Sequence, residues 1–188
     1  MEKTYLIVGL GNPGMDYANT RHNVGFMVLE RLAKRLGAEW EVSKKFTAHL
    51  AKGRQNVDTV LLSKPQGYMN LSGQSVAPLA KFYQIPNGRI MVVVDDLDLP
   101  LGTVRMRPSG GTGGHRGLDS IQGLLGKDDF PRLRLGIGRP EPNRDVCGFV
   151  LGKFTETETE LLEKVLKTAA YQLACWVLQG IGQAMNNY

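Results

Sequence analysis

Ile90-Met-Val-Val-Val94 sets five apolar residues in succession, four of them β-branched, and runs into the acidic group Asp95, Asp96 and Asp98. A strand with one wet face alternates apolar and polar residues; one that is apolar at every position is covered on both faces, as in the middle of a parallel sheet. The run therefore predicts a central strand with helices above and below it. Its acidic end marks the carboxyl edge, where open α/β sheets place their sites.

Working outward, Thr4 to Leu10 reads as a second buried strand, followed by helical spacing from Val24 to Leu36 through Phe26, Leu29, Ala33 and Leu36, with Gly37 as its stop. Phe46 to Lys52 and Val57 to Ser63 are short β-like runs around the polar 53–56 turn, the pattern of a hairpin. A helix is expected over 75–83, beginning close to Pro78 or kinking there. Leu133 to Ile137 is a further strand. Thr155-Glu-Thr-Glu158 has the capping-box form and opens a long amphipathic helix, about 156–180, through Leu162, Val165, Ala169, Leu173 and Trp176. Between these lies 108–117, which holds five glycines and is expected to be a mobile lid or its hinge. The fold class is α/β: a single domain over 1–188 with a twisted, mixed, mostly parallel sheet and helices on both faces.

With 188 residues, 42% of them hydrophobic and 22% charged, the chain is long and apolar enough to fold without a disulfide or metal staple. No run approaches the roughly 18 apolar residues of a membrane span, and the start lacks the layout of a secretory leader, so a cytoplasmic address and no membrane partner are expected. Cys147 and Cys175 stand in no metal or redox pattern and are expected to be buried, inert thiols. Lys and Arg exceed Asp and Glu by 23 to 18, a net charge of +5 that permits a polyanionic partner. The excess is local: 31–54 carries seven basic residues against two acids, and 99–118 carries Arg105, Arg107 and Arg116 against none. Solvated faces explain such runs as readily as nucleic acid does.

Gly9-Leu-Gly-Asn-Pro-Gly14 satisfies the dinucleotide fingerprint, but Pro13 stiffens the loop, Met15 to Arg21 has no helical period, and no acidic residue closes a second strand about 20 positions later. A glycine-braced turn presenting Asn12 is the competing reading. His22, in the polar segment Asn19 to Gly25, is expected at a sheet edge; it is either a surface or capping histidine or a general base oriented by a carboxylate, and Asp95 can supply that carboxylate. Asp96 and Asp98 read as a solvated acidic turn, with a metal-binding acid cluster as the rival. Asn70, in the loop Lys64 to Gly73, is an ordinary helix cap or an amide aimed at a developing oxyanion. Gly110 to Gly117 is no phosphate loop, since no Gly-Lys-Ser/Thr closes it; its plain reading is a crossover in which His115 caps the next helix. With no nucleophile elbow and no Ser or Cys beside a base, attack by water is the chemistry that remains.

Taken together, Leu6-Ile-Val-Gly-Leu-Gly-Asn-Pro-Gly14, Tyr17 with Thr20-Arg-His-Asn23, Lys64-Pro65 with Met69-Asn-Leu-Ser-Gly73, Asp95 with Leu97-Asp-Leu-Pro100, Gly113-Gly-His115 and Leu135-Gly-Ile-Gly138 resemble the bacterial peptidyl-tRNA hydrolase family over nearly the whole chain. The resemblance implies a monomeric, metal-free, cofactor-independent esterase that cleaves peptide from the 3′ end of tRNA and frees stalled tRNA for reuse. It implies that His22 activates water, that Asp95 orients it, and that Asn12 and Asn70 position the reacting groups and stabilise developing charge. Tyr17 and Met69 would line the cleft, and His115 would belong to the lid around the peptide or terminal adenosine. Arg105 and Arg107, with Arg132 or Arg134, would face tRNA phosphates. One position departs: the family commonly has Asn where this chain has Arg116. An amide donates and accepts, whereas guanidinium only donates, so the Asn role is not carried over and attraction to the tRNA backbone is what Arg116 offers. A non-catalytic RNA-binding or partner-binding module on the same scaffold is the rival from another class, and a nucleotide-dependent oxidoreductase is third.

Overall fold

The computed structural model describes residues 2–186. In chain order the elements are β1 (Thr4–Gly9), α1 (Val24–Leu36), β2 (Trp40–Ser43), β3 (Ala48–Gln55), β4 (Asp58–Pro65), α2 (Ser72–Phe82), β5 (Ile90–Asp96), β6 (Val104–Arg107), α3 (Arg116–Leu125), β7 (Arg132–Gly136), α4 (Val146–Val150), α5 (Glu156–Gln179) and α6 (Ile181–Asn186). One seven-stranded sheet runs in the order β2-β3-β4-β1-β5-β7-β6. Its four middle strands, β4, β1, β5 and β7, are parallel; β3 and β6 run antiparallel to them on the two flanks, and β2 pairs antiparallel with β3.

The β5 run sits between β1 and β7, and none of Ile90 to Val94 is more than 1% exposed. Alternation along the two neighbouring strands splits the core. Ile7, Met91 and Val93 pack with Val28 and Leu29 of α1 and Leu166 and Leu173 of α5. Leu6, Val8, Val92 and Val94 pack with Val76 and Leu79 of α2 and Leu118 and Ile121 of α3. Each fully buried aliphatic side chain stabilises this arrangement by roughly 1.5–3 kcal/mol over leaving it in water.

Two glycines of the first loop, Gly9 and Gly11, serve packing. A Cβ on Gly9 would lie 2.4 Å from the Gly25 carbonyl oxygen, and one on Gly25 would lie 2.5 Å from the Leu10 nitrogen. Strand β1 and helix α1 thus touch backbone to backbone, with no room left for a side chain between them. Gly11 is closed in by Phe26 and Asn23, whereas Gly14 faces open space and is required by its φ of 103°, so the fingerprint-like spacing combines packing with a turn.

The structure departs from the sequence reading at several places. Two four-residue flanking strands, β2 and β6, were not anticipated; each is half wet and charged, so neither carries a strong apolar signal. Pro78 lies inside α2, the helix having begun six residues earlier. The carbonyl of Gln74 loses its intrahelical donor, but both residues are exposed, so solvent replaces it. The long helix stops at Gln179, and Gly180, at φ 85°, turns the chain into α6. The capping box at Thr155 and Glu158 is formed. Cys175 is buried, but Cys147 is exposed, because no residue of the short surface helix α4 reaches the core.

Candidate active site

Asp95, the penultimate residue of β5, is paired in register with Leu135 of β7 and is only 6% exposed. His22 stands on a 3₁₀ turn, Arg21–Asn23, just before α1. It therefore lies over the carboxyl end of the central strand, not beside a lateral edge of the sheet. His22 Nδ1 is 2.9 Å from Asp95 Oδ1 and 3.0 Å from Oδ2, and its Nε2 bonds to no described residue.

The turn is clamped from two sides. Arg21 donates its backbone N–H to the Gly152 carbonyl and its guanidinium to Glu158 Oε2 at 2.7 Å, with its plane over the rings of Phe149 and Phe154. On the other side Asn23 accepts from the Asn12 backbone N–H and donates its Nδ2 to the Asn12 carbonyl, both at 2.9 Å. Arg21 and Asn23 were not singled out from the sequence. Their one signal was position, flanking His22 in a polar segment that lies 6% and 1% exposed at these two residues.

Asn12 is buried, and its Oδ1 accepts the Met69 backbone N–H at 2.8 Å. Because the Met69 group is a donor, the accepting atom must be the oxygen, which leaves the Asn12 Nδ2 amide to donate elsewhere. The same bond ties the 12–15 loop to the 3₁₀ turn Met69–Leu71. Asn70 sits on that turn, exposed, its side chain with no hydrogen bond to another described residue. Met69 itself is 5% exposed and packs in the core cluster with Leu10 and Leu118, so its side chain offers little surface to a ligand. Tyr17 is half-buried on the neighbouring turn Met15–Tyr17.

His115 stands at the end of the glycine-rich segment as the cap of the next helix, α3, which begins at Arg116. His115 Nδ1 accepts from the backbone N–H groups of Gly117 and Leu118, and its Nε2 is 3.0 Å from Asp95 Oδ1. The two imidazole rings are 5.2 Å apart and inclined at 42°. Burial alone would raise the Asp95 carboxyl; the contacts from His115 and His22 outweigh it and hold Asp95 at about 2.

The four arginines divide. Register sets Arg105 opposite Arg134 and Arg107 opposite Arg132, all on the α2/α3 face, since Met106 between the first two points into the α1/α5 core. Arg105 and Arg107 are exposed. Arg134 is ion-paired to Asp96 and partly exposed. Arg132 is 1% exposed, which removes it from the phosphate-facing set: its guanidinium donates to the carbonyls of Gly110, Gly111, Asp128 and Phe130. It braces the glycine-rich segment from beneath. Arg116 is exposed at the start of α3. Two grooves of about 740 and 730 Å³, between α2 and α3 and between α1 and α5, include none of these catalytic candidates.

An imidazole with an open Nε2, oriented by a buried carboxylate at the carboxyl edge of a parallel sheet, is the equipment of a hydrolase that activates water. The sequence profile described as peptidyl-tRNA hydrolase matches residues 6–188. A peptidyl-tRNA hydrolase of Syntrophomonas wolfei is 49% identical over 183 residues, covering 97% of this chain and 98% of that one. One from Mycobacterium tuberculosis is 45% identical over 186 residues, covering 99% and 97%. The crystal structure of peptidyl-tRNA hydrolase from Acinetobacter baumannii superposes with a TM-score of 0.92 at 42% identity, covering 97% and 93%. The chain belongs to the peptidyl-tRNA hydrolase family. Among the described residues no helix is long and apolar enough to cross a membrane.

Proposed function

We propose that this protein hydrolyses the ester joining a peptide to the 3′ end of tRNA, with water activated by His22. The observation that carries the reading is the contact of His22 Nδ1 with both oxygens of Asp95, which leaves Nε2 unbonded. An ionised carboxylate only accepts, so neutral His22 places its proton on Nδ1 and keeps a lone pair on Nε2. That lone pair takes a proton from water as the oxygen attacks the ester carbonyl. The Asp95 charge stabilises the imidazolium so formed, and the same proton passes to the departing ribose oxygen when the tetrahedral intermediate collapses. The amides of Asn12 and Asn70 are the donors offered to the oxyanion. Every group named comes from one chain, and the reading takes the protein as a monomer in the cytoplasm that uses neither metal nor cofactor.

Single-turnover release of peptide from purified peptidyl-tRNA tests this reading, and a preparation that binds the substrate without releasing peptide would favour the RNA-binding alternative. The exposed pair on β6 supplies the tRNA contact, since nucleic-acid affinity rests on phosphate neutralisation. Arg105→Ala with Arg107→Ala is expected to weaken tRNA binding and to flatten its log–log salt dependence by about 0.9 for each phosphate contact removed. Hydrolysis of a short ester substrate lacking the tRNA body should stay at the wild-type rate. A salt slope equal to that of the wild type would take these two arginines off the interface.

A further inference from the structure

The side-chain nitrogens of His22 and His115 and the Asp95 carboxylate lie within 4.8 Å of one another, a grouping that at first sight suggests a metal site. The cap of α3 argues otherwise. His115 Nδ1 faces two backbone N–H groups, from Gly117 at 3.2 Å and Leu118 at 3.4 Å, and only a lone pair can meet two donors. Neutral His115 therefore carries its proton on Nε2, the nitrogen that faces Asp95. A metal ligated by Nε2 would need that proton moved to Nδ1, straight against the helix N–H groups. The cluster is consequently a carboxylate taking hydrogen bonds from two imidazoles of opposite tautomer.

We infer that His115 is a positioning residue for the hydrolysis proposed above: the N-terminus of α3 locks its tautomer, and its Nε2–H is a second donor that holds Asp95 in place and shares its charge with His22. The inference rests on His22 being the base. The titratable groups facing Asp95 are these two histidines, one from the turn before α1 and one from the cap of α3. Asp96, the next residue of β5, has the opposite parity and is engaged with Arg134 of β7. Taking away the His115 donor concentrates the Asp95 charge on His22, stabilises its imidazolium, and delays formation of the active base as pH rises.

Two substitutions separate the halves of this arrangement. Asn is a good N-cap but too short to reach Asp95; Gln carries a donor amide about as far as Nε2 but caps poorly. His115→Asn is expected to keep the wild-type melting temperature and to move the acid limb of the kcat/KM profile upward by about half a pH unit or more. KM for peptidyl-tRNA should stay within about twofold, since the effect falls on the base and not on ligand contact. His115→Gln should do the reverse, melting lower while keeping its acid limb near that of the wild type. The proposal is overturned if His115→Asn raises KM and leaves the limb unmoved, the signature of a contact to peptide or terminal adenosine. It is equally overturned if both variants move the limb alike, which marks a purely structural role. A wild-type protein that released no peptide would overturn the functional reading itself, a failure distinct from either of these.

Discussion

His22→Ala is expected to release peptide from peptidyl-tRNA at least about 10²-fold more slowly than the wild type while binding tRNA with little change, because a positioned general base contributes roughly 10²–10⁴-fold. The substitution deletes the only unbonded imidazole nitrogen in the cluster, and His115 cannot stand in for it. Both of its nitrogens are committed, Nδ1 to the start of α3 and Nε2 to Asp95. The fold should tolerate the change. The turn that carries His22 is held by Arg21 and Asn23 through contacts that do not involve the imidazole. Single-turnover hydrolysis and tRNA binding measured on one preparation check both halves, and near-wild-type turnover would take His22 out of the role.

Asp95→Asn is expected to cost about as much turnover, roughly 10²–10⁴-fold, although it changes only one atom of the side chain. A carboxylate accepts both N–H groups; an amide has one accepting oxygen and must direct its NH₂ at the other imidazole. His115 is held in its tautomer by the helix, so the oxygen meets His115 and the amide donor meets His22. His22 must then accept at Nδ1, which moves its own proton to Nε2 and removes the lone pair that activates water. Turnover near the wild-type value would show that the orientation of His22 does not depend on Asp95.

The same substitution has a signature in stability. The folded-state value of Asp95, about 2, lies below the unfolded value of 3.8, so the carboxylate favours the folded state. Its contribution is fully present above about pH 4 and is lost as pH falls through about 2. A shift of this size corresponds to about 2 kcal/mol. Urea unfolding should accordingly show wild type more stable than Asp95→Asn above pH 4, with that advantage shrinking as pH falls below it.

Much of this framework is visible in the chain. The β5 run identifies itself because five successive apolar residues have no other comfortable place, and the capping box at Thr155 and Glu158 is a local interaction complete within four residues. The pairing of His22 with Asp95 was reachable because the acid ends a central strand and the histidine precedes the first helix. What escaped depends on contacts between distant segments. Arg132 and Arg134 have the same strand parity, so periodicity cannot separate them; the 110–111 and 128–130 segments fold over one and leave the other beside Asp96. The place of His115 turns on a single residue at a helix boundary, where sequence patterns are least sharp. Were α3 to start at another position, Nδ1 would lose its two donors and Nε2 its fixed proton. Strands β2 and β6 acquire their conformation from the neighbours they pair with, and their own charged residues gave no sign of it.

At the centre of the account is the placement of two protons, and a ¹⁵N–¹H spectrum of the imidazole nitrogens at neutral pH reads it directly. His22 should appear as the Nδ1–H tautomer and His115 as the Nε2–H tautomer, with both protons shifted by their bonds to Asp95. A spectrum with His22 protonated on Nε2 would contradict the account, since the nitrogen meant to activate water would already hold a proton.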